Sequence, residues 1–135
     1  MDTLMIWVKM AGGAICAMLT ALFGGLDTVL SVLLILMLLD YLSGVWSAVL
    51  KKTVSSRVGF HGLLKKVMIL AVIAVAHLVG QTVGAPEIRS FVIGFYIANE
   101  GISILENAGN IGVPLPSKLI QVLDCLKEQG EEQEI

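Results

Sequence analysis

Charge is scarce in this chain. Of its 135 residues only 15% are charged while 56% are hydrophobic, and the mean hydropathy is +0.88. A water-soluble domain carries roughly 25% charged residues to clothe its core, so an ordinary soluble globule is excluded. So is a disordered chain, which is poor in apolar residues. The two cysteines, Cys16 and Cys125, are too few and too far apart for a disulfide scaffold. Aromatic residues make up only 6%, and the basic segment between residues 51 and 66 has little to stack on a base beyond Phe60, which argues against a nucleic-acid surface. The signatures of catalysis are missing as well. There is no Gly-Xaa-Ser-Xaa-Gly elbow, no phosphate-binding loop ending in Lys-Ser or Lys-Thr, and no His-Glu-Xaa-Xaa-His pair. His61 and His77 find no cysteine at ligand spacing. No enzyme activity, cofactor or metal is expected.

Long apolar runs are what the chain does have. A helix crosses about 30 Å of hydrocarbon with about 20 apolar residues, and four stretches qualify, at about 10–26, 28–50, 67–85 and 88–105. The first extends back to Leu4 if Lys9 snorkels its ammonium to the interface. Closed β-barrels would read as short alternations of apolar and polar residues, and the run from Val29 to Leu39 does not alternate. Gly24, Gly25, Asp27 and Thr28 supply a stop and an N-cap between the first two runs; Gly84, Ala85, Pro86 and Glu87 do the same between the third and fourth. The expected fold is all-α: an integral membrane bundle of four transmembrane helices in residues 1–106, followed in 107–135 by a Gly/Pro hinge, a short amphipathic helix and an acidic tail. In that helix Leu119, Ile120, Val122, Leu123 and Leu126 share one side, and Glu128, Glu131, Glu132 and Glu134 make the tail. Three spans are the alternative, with the first run lying on the membrane.

Orientation follows from the basic residues, which short cytoplasmic loops retain. Lys51, Lys52, Arg57, Lys65 and Lys66 fall between the second and third runs, so this loop is expected to set the topology and to lie inside. With four spans both termini are then cytoplasmic, and the two tight turns, with Arg89 as their basic residue, face out. The membrane expected is the bacterial cytoplasmic membrane. No cleaved signal is expected at the N-terminus, where Asp2 offsets Lys9. Cys16 follows the bulky Ile15 and reads as a packed small residue, not as a lipid anchor.

Polar residues inside the runs are arranged with helical spacing. Asp40, Ser43, Gly44, Ser47 and Lys51 recur every three or four residues, as do Tyr96, Asn99, Ser103 and Glu106, with Glu100 adjoining. The third run contributes His77 and Gln81, and the first offers Gly13, Ala17 and Ala21. Plain packing of small and hydrogen-bonding residues accounts for part of this. An ionised Asp at a helix centre costs about 2.5 to 3.5 kcal/mol on insertion scales, so such residues seek a bundle interior or a water-filled path. The residues expected to line a pore or meet other helices are Asp40, Ser43, Gly44, Ser47, His77, Gln81, Tyr96, Asn99, Glu100 and Ser103. Three or four helices leave little interior for Asp40, His77 and Glu100 together, so some of these faces are expected to meet further copies of the chain.

Several segments resemble the small holins of bacteriophage lysis and toxin secretion in Gram-positive bacteria: Asp40-Tyr-Leu-Ser-Gly44, Ser55-Ser-Arg-Val-Gly59, Gly62-Leu-Leu-Lys-Lys66, and above all Phe95-Tyr-Ile-Ala-Asn-Glu-Gly-Ile-Ser-Ile-Leu-Glu-Asn107 followed by Gly112-Val-Pro-Leu-Pro116. The resemblance covers roughly 27–126. It implies a homo-oligomer in the lipid bilayer that opens lesions for an endolysin or a toxin, without direct contact with that cargo. Members often carry an acid three residues after the histidine of the third run, where this chain has Gly80. A small ion or proton channel or transporter subunit and a membrane scaffold are the other classes that the residues alone allow. A transporter would show paired repeats and interrupted helices, and the two halves here are not alike.

Overall fold

The structure, a computed structural model, describes residues 2–133; the side chains of 123, 126, 127 and 129–133 lie outside that description. Five helices follow one another: α1 Asp2–Phe23, α2 Thr28–Leu50, α3 Ser56–Val83, α4 Glu87–Ile111 and α5 Ser117–Gln133. The first four are each long and apolar enough to cross a bilayer. Helices suit this solvent because each satisfies its own backbone hydrogen bonds where no water can.

Local chemistry sets the ends. Asp27 caps α2, its Oδ1 accepting from the Leu30 N–H at 3.0 Å. Gly24, Gly84 and Gly112 end α1, α3 and α4 with φ of 80°, 72° and 103°, a left-handed backbone that other residues adopt at a cost. Three boundaries differ from the sequence expectation, the first being the start of α1, which lies at Asp2 and not near residue 10. α3 starts at Ser56, so Arg57, Lys65 and Lys66 are helical and the loop shrinks to residues 51–55. The basic residues there are good helix formers and nothing breaks the run. α4 continues through Asn107 and Gly109 to Ile111, because an isolated glycine only weakens a helix and the break falls at Gly112, ahead of Pro114 and Pro116. In α5, Leu119 is half-buried and Ile120, Val122 and Glu128 are exposed; the side chains of Leu123, Leu126, Glu131 and Glu132, and all of Glu134, lie outside the described residues.

α2 and α4 pack most extensively, and α3 closes the bundle against both. Leu33, Ile73 and Ile93, one from each helix, are fully enclosed and joined by Leu30, Met37 and Ile69. α1 rests on α3 and buries none of its residues. The exterior is apolar: Phe91 is 80% exposed and Trp7 64%, whereas Glu100 is 3% and Arg89 7% exposed. An apolar core that also encloses charged groups, under an exterior that is itself largely hydrocarbon, is the reverse of a soluble protein's surface and is stable with lipid as solvent.

Candidate functional site

Two polar clusters interrupt this apolar bundle, one toward each end. The first gathers one charged residue from each of α2, α3 and α4. Lys66 Nζ donates to Asp40 Oδ2 at 2.6 Å and to Glu100 Oε2 at 2.8 Å, with the Lys66 and Asp40 side chains each 14% exposed and that of Glu100 4%. Asn107 Nδ2 donates to Asp40 Oδ1 at 3.1 Å, to the Asp40 carbonyl at 3.2 Å and to Ser43 Oγ at 3.0 Å. Ser43 in turn donates to the Asp40 carbonyl at 3.1 Å, and Ser103 adjoins the Asp40 carboxylate. Gly44 faces Asn107, and a Cβ there would stand 3.5 Å from Asn107 Nδ2, an ordinary contact. Among the described residues no buried side-chain polar atom lacks a partner. A cavity of about 510 Å³ lies alongside, bounded by Asp40, Lys66 and Glu100, by Asn99 and Ser103, and by the 53–60 segment.

The second cluster sits at the turns. Arg89 donates through Nη1 and Nη2 to Asp27 at 2.7 and 3.1 Å, through Nη2 to the Gly25 carbonyl at 3.0 Å, and through Nε to the Phe23 carbonyl. One guanidinium thus pins the C-terminus of α1, the N-cap of α2 and the start of α4, a geometry that needs the planar fork of arginine. The Arg89 guanidinium first, and then the Leu30 N–H, hold the Asp27 carboxyl below its ordinary value of 3.8. His77 completes this end: a Cβ on Gly24 would come within 2.8 Å of both the His77 ring and Arg89 Nε.

The ten residues singled out from the sequence therefore separate. Asp40, Ser43, Gly44, Glu100 and Ser103 come together, Asn99 lines the adjoining cavity from an exposed position, and Ser47 is buried one turn beyond Ser43. His77 lies about 16 Å along α3 from Lys66 and belongs to the other cluster, Gln81 is exposed, and Tyr96 packs on the core with its ring edge-on to Phe95 at 5.2 Å. The inward face of α4 is marked by Glu100, Ser103 and Asn107, and Asn99 and Glu106 lie off to its sides. Lys66, Asn107, Asp27 and Arg89 are the site residues that sequence reasoning missed as such. Lys66 and Asn107 were legible in principle: Lys66 directly adjoins an apolar run, and Asn107 falls seven residues after Glu100, on the same helical face. Gly80 also has a reason to depart from an acid. A Cβ there would meet the Ala85 carbonyl oxygen at 2.7 Å, so the tight turn into α4 admits no side chain.

Four apolar helices, three of them packed around a buried charged centre, define a multi-pass helical membrane protein. The chain belongs to the bacteriophage holin family, whose family model matches residues 17–128. It is 37% identical over 131 residues to an uncharacterised 14.9 kDa protein from the nagH 3' region of Clostridium perfringens, covering 96% of this chain and 99% of that one. An uncharacterised protein of Clostridium acetobutylicum is 40% identical over 110 residues, with 80% and 88% covered. One of Listeria monocytogenes is 38% identical over 115 residues, with 82% of each chain covered. No solved structure matches the chain.

Proposed function

We propose that the chain is a working holin: it gathers into homo-oligomers in the bacterial cytoplasmic membrane and opens lesions that let an endolysin or a secreted toxin reach the cell wall. The observation that carries this reading is the family match across residues 17–128, which includes every member of the buried Asp40–Lys66–Glu100 centre. Both termini lie on the cytoplasmic side, with the 51–55 loop. α1 supplies a face for a sister copy, since it buries nothing within its own chain and has open space beside Gly12 and Gly13. Before a lesion opens, the polar stripes of α2 and α4 mate with each other through Lys66 and Asn107 inside one chain. When those helices part, Asp40, Ser43, Glu100 and Ser103 turn to water beside Asn99 and line the hole.

Controlled expression in a bacterium that also carries a soluble cell-wall hydrolase tests this. The expected outcome is abrupt arrest of growth with release of the hydrolase. Ion flux without release of a folded protein would identify an ion channel, and neither effect would identify a scaffold.

A further inference from the structure

Asp40 and Glu100 share a single ammonium, that of Lys66, within a bundle that is apolar on its outside. With all three groups ionised the centre carries a net charge of −1. Among the described residues no other cation is bonded to either carboxylate. α2 presents Asp40 and the neutral hydroxyl of Tyr41, and α3 presents Lys66 along with Lys65, which is exposed at the cavity wall. On α4, Glu106 stands about 9 Å further along the axis and has an interaction of its own. An uncompensated charge at this depth is costly, and the removal that needs no new residue is protonation of one carboxylate.

We propose that the Asp40–Glu100 pair bridged by Lys66 is a proton-binding site, holding one proton while the helices are packed and releasing it when they part. The donors decide where the proton sits. Asp40 receives Lys66 on Oδ2 and Asn107 on Oδ1, with Ser103 alongside, which suits the anion. Glu100 is the more deeply enclosed of the two, and Lys66 reaches its Oε2. The proton therefore resides on the Glu100 carboxyl, beside the Asp40 carboxylate. The cavity gives it a route, running from the three charged groups to exposed Thr53 and Phe60. Because the packed state holds one proton more than the parted state, raising the pH favours parting, by up to about tenfold per pH unit.

Infrared spectroscopy of the full chain in lipid vesicles at neutral pH tests the site through the carbonyl stretch of a protonated carboxyl. The charge count fixes a pattern: one such carboxyl per chain in the unaltered protein, none in Glu100→Gln, and none in Asp40→Asn, where Glu100 alone balances Lys66. Both substitutions are nearly isosteric, and circular dichroism of the same samples verifies that the helices are retained. A band missing from the unaltered protein, or persisting in either variant, overturns the proposal. The measurement asks nothing of lesion formation, so the proton site and the holin reading can fail separately.

Discussion

Removing the Arg89 guanidinium would strand two backbone carbonyls and the Asp27 carboxylate together. Losing one member of a buried, hydrogen-bonded charge pair costs about 3 to 5 kcal/mol, and the partly exposed Asp27 moves this toward the lower figure. Arg89→Met is expected to lower the melting temperature in detergent micelles and to open the Gly24–Gly25 turn to protease. Arg89→Lys should recover little of the loss, since a lysine lacks the fork that spans Phe23, Gly25 and Asp27. The Asp27 carboxyl is held below 3.8 by Arg89 and the Leu30 N–H, so its contribution to stability is complete above that value and is lost as the pH falls through the lowered one. Melting curves taken down a series of acid pH values should therefore show an acid limb that is weaker in Asp27→Asn. At this scale Asp40 and Glu100 were legible in the sequence, because a carboxylate in an apolar run needs an explanation. Lys66 was less plainly so, because a basic residue adjoining an apolar run reads equally well as an anchor at the interface.

At the scale of elements, the helices were legible from apolar length and their ends less so. Asp27, Gly24 and Gly84 mark their termini by capping chemistry that a sequence displays. The start of α3 was hidden, because Ser55 to Lys66 is too polar to count as membrane and yet nothing in it stops a helix. The last turn of α4 was hidden by Gly109, which resembles a break until Gly112 supplies the real one. The face of α4 was misread for a related reason: the stripe through Tyr96, Asn99 and Ser103 and the stripe through Glu100, Ser103 and Asn107 share a residue, and packing against α2 chose the second. Packing likewise decides what a glycine does. Gly80→Ala places a methyl group 2.7 Å from the Ala85 carbonyl oxygen, a backbone atom that cannot easily move, so a loss of about 1 to 3 kcal/mol is expected. Gly13→Ala meets nothing within 4 Å and should be neutral or gain up to about 1 kcal/mol from helix propensity. Melting the two variants side by side separates close approach from propensity.

For the whole molecule, the scarcity of charge predicted a lipid solvent, and the apolar exterior agrees with it. What composition did not convey is that, among the described residues, the three central helices satisfy their buried polar side chains within one chain. Four crossings would place both ends of the chain on the same side. A single cysteine introduced at position 2, with Cys16 and Cys125 replaced, should react with an impermeant thiol reagent from the cytoplasmic side of oriented vesicles. With the 51–55 loop on the cytoplasmic side, labelling from the outer side would instead mean three crossings, with α1 lying along the surface.

The clasp on α1 has a further consequence for how this helix can change. Arg89 grips it by the carbonyls of Phe23 and Gly25, atoms that every amino acid possesses, while the rest of the helix buries no side chain in its own bundle. Short of Phe23, whose ring packs on the core, and Gly24, where a Cβ would meet Arg89 and His77, the attachment is therefore blind to the letters written along α1. Mutations can rewrite that stretch, and with it whatever neighbour it meets in the bilayer, without unfastening it from the body of the protein.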